Sequence, residues 1–288
     1  MEKSNVDLHE VNINKDAEKK IREEKQLQEN IDRIKHKLIV ISGKGGVGKS
    51  TVSVNLAYGL ALSGKKVGIL DIDIHGPSIA KMLGIEGQRL GFSNQSKRPT
   101  PIKVHENLYA MTIATLLQSV DDPVIWRGPL KMGVIKQFLQ DIEWPELDYL
   151  IVDSPPGTGD EPLSIVQILK KVDGSLIVST PQDVAFLDAR KTIRFSEKMS
   201  VPVVGIIENM SGFTCPHCGE KVDIFPGKGA AKAALDFKVD ILGKIPIDVN
   251  IVKSSDSGKA YIKDFSDLSG AKEMKSIVNK IIEKVEKK

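Results

Sequence analysis

Cysteine is scarce in this chain of 288 residues: only Cys215 and Cys218 occur, too few for a disulfide framework, so a reducing, cytoplasmic setting is expected. Long apolar runs are missing as well. No stretch reaches the roughly 18 apolar residues that a membrane-spanning helix needs. Residues 1–37 are charged and hold no apolar run of the kind that marks a signal peptide. Charge of one sign is also lacking. The formal net charge is +3, which gives no strong case for a nucleic-acid partner. Neither a membrane nor a nucleic acid is therefore expected as a partner. What remains is an ordinary soluble composition, 41% hydrophobic and 27% charged, in a chain long enough for one large α/β domain or two small ones.

Two regions separate by texture. Residues 1–36 read as a charged extension, helical or flexible, with a thin apolar stripe of Ile13, Ala17, Ile21, Leu27, Ile31 and Ile34. It suits a solvated helix that frays or lies on the core, or else a docking or dimerising helix. Residues 37–288 read as a single nucleotide-binding domain. Within them, runs such as LIVIS, KVGILDID, NLYAMTI, DYLIVDSPPG, GSLIVSTPQ, VPVVGIIENM and ILGKIPID are continuously apolar, as strands buried on both faces are. Helix-like segments between them imply right-handed crossovers. The fold expected is α/β, a doubly wound and mostly parallel sheet. Residues 86–106 are polar and rich in Gly and Pro and read as a surface loop. The C-terminal KEMKSIVNKIIEKVEKK is an amphipathic helix with Met274, Ile277, Val278, Ile281, Ile282 and Val285 in one stripe, expected to pack on the sheet.

The stretch Gly43-Lys44-Gly45-Gly46-Val47-Gly48-Lys49-Ser50, followed by Thr51, fits the phosphate-loop pattern G-x-x-x-x-G-K-[ST] between a strand and a helix. Its glycines let backbone N–H groups converge on phosphate oxygens. Lys49 would reach the β- and γ-phosphates and Ser50 would hold Mg²⁺. Asp153 ends another apolar strand, as a Walker B carboxylate that binds Mg²⁺ does, and the Pro-Pro-Gly-Thr-Gly after it reads as a switch loop. Asp71 and Asp73 end a third strand, where carboxylates face the phosphate crevice.

Cys215-Pro-His-Cys218-Gly is a short knuckle whose Pro and Gly tighten the turn so that two sulfurs converge. A closed zinc site or a four-iron cluster wants four ligands, and the chain has no third cysteine. Two copies meeting about a twofold axis would supply four thiolates. Zinc, an iron–sulfur cluster and a reactive redox thiol all remain open on spacing alone.

The stretch GKGGVGKSTVSVNLA resembles the deviant phosphate-loop class, in which the extra lysine, here Lys44, crosses a dimer interface to the partner's nucleotide. Together with LDIDIHGPSIAKMLG, WRGPLKMGVIKQFL, DYLIVDSPPGTGDEPLSIVQ, STPQDVAFLDARKTI and ENMSGFTCPHCGEK, it resembles the Mrp/ApbC family of iron–sulfur cluster carrier ATPases, relatives of the septum-site and partition ATPases. The resemblance implies a homodimer that binds and hydrolyses ATP with Mg²⁺. It casts Lys44 and Lys49 as catalytic lysines, Asp73 as the residue orienting the attacking water, Asp71 as support for the magnesium shell and Asn209 as a reader of the adenine edge. It also implies a transferable [4Fe–4S] cluster between paired Cys215 and Cys218, received from an assembly scaffold and passed to apo-proteins. A positioning ATPase of the septum-site type and a zinc-stapled dimer are the rival readings. The extension holds no cysteine, so a second cluster there is not expected.

Overall fold

The computed structural model describes residues 3–73, 76–115, 128–215 and 217–287. His75, Trp126, Arg127 and Pro216, each within a family-like stretch, lie outside the described residues. Helix α1 (Lys3–Asp32) leads into β1 (Ile34–Ile41), and the phosphate loop into α2 (Lys49–Leu62), β2 (Val67–Asp71) and the short α3 (Ile79–Met82). Strands β3 (Gly91–Phe92), β4 (Pro99–Thr100), β5 (Ile102–His105) and β6 (Leu108–Thr112) follow, then α4 (Gly128–Gln140), β7 (Leu147–Asp153), α5 (Asp160–Leu169), β8 (Gly174–Ser179), α6 (Ala185–Lys198) and β9 (Val203–Glu208). Strands β10 (Phe213–Thr214) and β11 (Lys221–Val222) form a hairpin before α7 (Gly229–Phe237), β12 (Ile241–Lys244), α8 (Val249–Asp256), α9 (Tyr261–Asp264) and α10 (Ser269–Glu286).

Eight strands form one sheet in the order β12-β9-β8-β1-β7-β2-β6-β5, parallel except for β5 at the edge. The doubly wound, mostly parallel α/β fold expected from the apolar runs is the fold observed. Alternation along β1 shows why those runs are continuous. Leu38 and Val40 point into a core layer with α2 and α10, while Ile39 and Ile41 enter the layer on the opposite face with α4, α5 and α6. Both faces are dry, so neither phase of the strand is polar.

Three local features differ from the sequence reading or refine it. The end of α1 belongs to the core: Leu27, Asn30 and Ile31 are buried, and β1 begins at Ile34, paired with Leu147. The apolar stripe therefore divides, with Ile21 two-thirds exposed and the later members packed. Residues 86–106 are not loop throughout, because β3 pairs with β4, and β5 closes the sheet edge antiparallel to β6 with Ile102 buried. A single inward face of two or three apolar residues is too short a signal in a polar segment. Helix α10 buries Met274, Ile277, Val278, Ile281 and Val285, so the apolar face that lying on a membrane would require is already covered. Among the described residues no helix is long and apolar enough to cross a membrane.

Candidate functional site

The carboxyl ends of β1, β2 and β7 meet at one crevice, as parallel sheets arrange their sites. Strand β1 ends at Ile41, and residues 42–48 turn directly into α2, whose free N–H groups open onto a cavity of about 210 Å³. Gly48 caps α2 with φ 82, a left-handed conformation, and a Cβ there would stand 2.2 Å from Asn209 Nδ2. That nitrogen donates to the Val47 carbonyl at 2.8 Å. Asn209, buried at the end of β9, thus braces the loop from beneath. Gly43 is equally confined: a Cβ would lie 2.5 Å from that of Asp188, because α6 packs on the start of the loop.

Lys49 Nζ lies 2.8 Å from Asp153 Oδ2, and Ser50 Oγ donates to the same oxygen at 2.6 Å. Ser53, one turn further along α2, donates to Asp153 Oδ1 at 2.6 Å. Sequence reasoning missed Ser53, although its three-residue spacing from Ser50 places both on one helical face. The hydroxyl of Ser50 and the carboxylate of Asp153 are hard oxygen donors that suit Mg²⁺.

Asp71 stands in register with Asp153 on the neighbouring strand, both fully buried. Burial, and then the charge of Asp153, push the Asp71 carboxyl up to about 8. The Asp73 N–H, at 3.0 Å, and the Thr112 hydroxyl, at 2.9 Å, oppose that rise. Asp73 itself lines the phosphate cavity, as do Lys44, Thr51 and Pro156 of the switch loop. Lys44 Nζ donates to Gln182 Oε1 at 3.1 Å within the same chain. Gln182, in the loop after β8, is a second residue that sequence reasoning missed, since nothing local marks it as a partner of a residue 138 positions away.

Neither cysteine lines the phosphate cavity. Both sit at the tip of the β10–β11 hairpin, six residues beyond the brace at Asn209 for the first of them. Cys215 N–H donates to the Glu220 carbonyl, and Gly219 N–H returns to the Cys215 carbonyl, both at 2.9 Å. Both thiols are free, Cys218 being exposed and Cys215 partly so. Backbone N–H groups of Cys218 and then His217, with the Cys218 thiol, pull the Cys215 thiol below its usual range. Thiolate-forming sulfurs at a surface suit soft metals and iron–sulfur clusters. Among the described residues no group of three or more His, Cys, Asp or Glu side chains could hold a metal ion.

A parallel sheet with this loop, a buried carboxylate against its lysine and a second lysine at its start defines a P-loop NTPase of the MinD/ParA type. The family model described as ParA, NUBPL iron-transfer P-loop NTPase, matches residues 33–282, and the chain belongs to that family. It is 49% identical over 266 residues to a protein of Methanocaldococcus jannaschii named iron-sulfur cluster carrier protein, covering 91% of this chain and 89% of that one. A solved nucleotide-binding protein of Archaeoglobus fulgidus, in complex with ADP and with cobalt, is 40% identical and superposes with a TM-score of 0.72 over 82% of this chain and 92% of its own. The cell-division ATPase MinD of Pyrococcus furiosus, at 23% identity and a TM-score of 0.62 over 86% of this chain and 98% of its own, shares the fold.

Proposed function

We propose that this chain is an ATP-hydrolysing carrier that holds a [4Fe–4S] cluster as cargo between two copies of itself and delivers it to apo-proteins. The observation that carries the reading is the hairpin tip: two free, surface-facing thiols, one of them acidified, on a domain whose relative is named an iron–sulfur cluster carrier protein. One chain offers two thiolates, and a four-iron cluster takes four, so a symmetric pair completes the set. Such a cargo would be loaded from an assembly scaffold in a reducing cytoplasm, where exposed thiols stay free.

The nucleotide half follows from residues in contact. Lys49 and the N–H groups of residues 43–51 hold the phosphates, and Ser50 and Asp153 hold Mg²⁺, which when bound neutralises charge on the β- and γ-oxygens. Asp73 orients water, with Asp71 behind it. Asn209 serves the adenine side while bracing the loop. Lys44 exchanges its neutral partner Gln182 for the phosphates bound by the other protomer, adding positive charge where the transition state spreads negative charge.

The test is anaerobic reconstitution of the full chain and of the Cys215→Ala/Cys218→Ala variant, read by iron, sulfide and zinc content and by molar mass. About four iron and four sulfide per dimer are expected for the parent, and none for the variant. Zinc without sulfide, a variant that keeps its cluster, or a monomer with a complete cluster each overturns the reading.

A further inference from the structure

The outer face of α6, beside α7, carries chemistry that neither nucleotide nor cluster binding uses. Helix α6 buries Ala185, Ala189, Thr192, Ile193 and Ser196 against the sheet. Its solvent side presents Arg190, Lys191, Arg194 and Lys198 along three turns, over a groove of about 570 Å³. The two arginines sit over aromatic rings. The Arg190 guanidinium is 5.1 Å from the Phe186 ring and 5.0 Å from that of Phe237, and Arg194 is 4.7 Å from Phe237. A guanidinium over a ring face is attracted to it and loses freedom, while the rest of its N–H fork stays available for a carboxylate.

The charges are only partly answered within the chain. Arg190 pairs with Asp236, and Arg194 pairs with Glu197 at 2.8 Å, both pairs well exposed. Lys191 and Lys198 make no ion pair among the described residues. A large apolar side chain lies among the cations in full view of solvent, Leu187 at 62% exposure. Thr158 of the switch loop forms part of the groove's wall.

We propose that this face docks an acidic segment of a partner protein, one that sets carboxylates on the cations and an apolar side chain against Leu187. Charge complementarity selects that occupant. A second copy meeting this face about a twofold axis would bring the same cations together, and like charges repel. A nucleic-acid backbone would answer the cations but leave Leu187 uncovered. A peptide can interleave acidic and apolar side chains at single-residue spacing. Since the groove includes Thr158, the docked segment touches the loop that follows Asp153. The proposal does not depend on what Cys215 and Cys218 hold.

The probe is a fluorescein-labelled peptide of sequence EELEEFLEELEE, titrated by anisotropy with the full chain at low and moderate salt. Saturable binding that weakens with salt is expected. It should fall by about tenfold or more in Arg194→Glu/Lys198→Glu, whose side chains are exposed, with a circular dichroism spectrum matching the parent's as the check on folding. Leu187→Ser should weaken binding without altering its salt slope, which separates the apolar contact from the ionic ones. The EESEESSEESEE control should bind more weakly than the probe. Absence of saturable binding, or equal affinity of the parent and the charge-reversed chain, overturns the proposal. So does tighter binding of a 12-base-pair duplex or of anionic phosphatidylglycerol vesicles that the same reversal abolishes, an outcome that would make the face a polyanion site.

Discussion

Asp71 is the residue whose chemistry is furthest from its ordinary state. Its folded-state carboxyl is raised from 3.8 to about 8, chiefly by burial and then by Asp153. The folded chain therefore retains a proton that the unfolded chain has already released. Stability contributed by this group is full below about pH 4 and declines as pH rises toward 8. Asp71→Asn removes the titration while keeping the shape, and the Thr112 hydroxyl can turn to accept from the new amide. In nucleotide-free, magnesium-free protein, urea unfolding should show the variant gaining on the parent between pH 5.5 and pH 8.5. A stability difference, variant minus parent, that stays constant or falls over that range would refute the assignment. At this scale the sequence named most of the site. A strand, four glycines and Lys-Ser fix Gly43 to Thr51, since each residue type answers a local need of the phosphate loop. Ser53, Thr112 and Gln182 were not legible, because each acts through a neighbour supplied by the fold and has no motif of its own.

Among the elements, α1 shows how an unremarkable polar stretch is recruited. Asn30 Nδ2 donates to the carbonyls of Leu139, Gln140 and Ile142 at 2.7, 2.9 and 2.9 Å, closing the C-terminal end of α4. Gln26 and Arg98 donate to the Gln140 carbonyl as well, and Arg98 and the Trp144 N–H to that of Ile142, so Leu139 depends most on Asn30. The side chain is buried, and its loss leaves the Leu139 carbonyl without this donor. Asn30→Ala should cost about 1–3 kcal/mol in chemical denaturation. Asn30→Asp should cost more, since a carboxylate would face three carbonyl oxygens without a donor. Equal stabilities for the two variants would show that packing, not donation, is what Asn30 contributes. A cap reaching across more than 100 residues cannot be read from the charged run that contains it. The seven parallel strands could be read, because burial on both faces writes an unbroken apolar string. Edge strand β5 could not, because only its inner face is written.

For the molecule as a whole, the proposed roles of Lys44 and the two cysteines make the same demand on quaternary structure. Lys44 Nζ is held by a neutral amide in its own chain, a bond whose net worth is about 1.5–3 kcal/mol. Exchanging that partner for the phosphates of a second protomer is favourable once two nucleotide-loaded chains meet, because an ammonium is drawn more strongly to phosphate than to an amide. Nucleotide binding by one chain does not need it, since Lys49 and the loop's N–H groups supply that contact. Lys44→Ala should therefore bind ATP with nearly the parent's affinity and lose about a hundredfold or more in turnover, the scale of an electrostatic donor to the transition state. The concentration dependence is the sharper readout. Turnover per parent chain should rise with protein concentration as dimers form, whereas the variant should stay flat at its low level. A mixture of Lys44→Ala with Lys49→Ala chains, the second unable to grip its own phosphates, separates the roles further. Each mixed dimer pairs an intact Lys44 on one protomer with the intact phosphate grip of the other, so activity should return above that of either variant alone. If mixing restores nothing while the parent's turnover is independent of concentration, Lys44 acts within its own chain, and the dimer is left resting on the thiols alone.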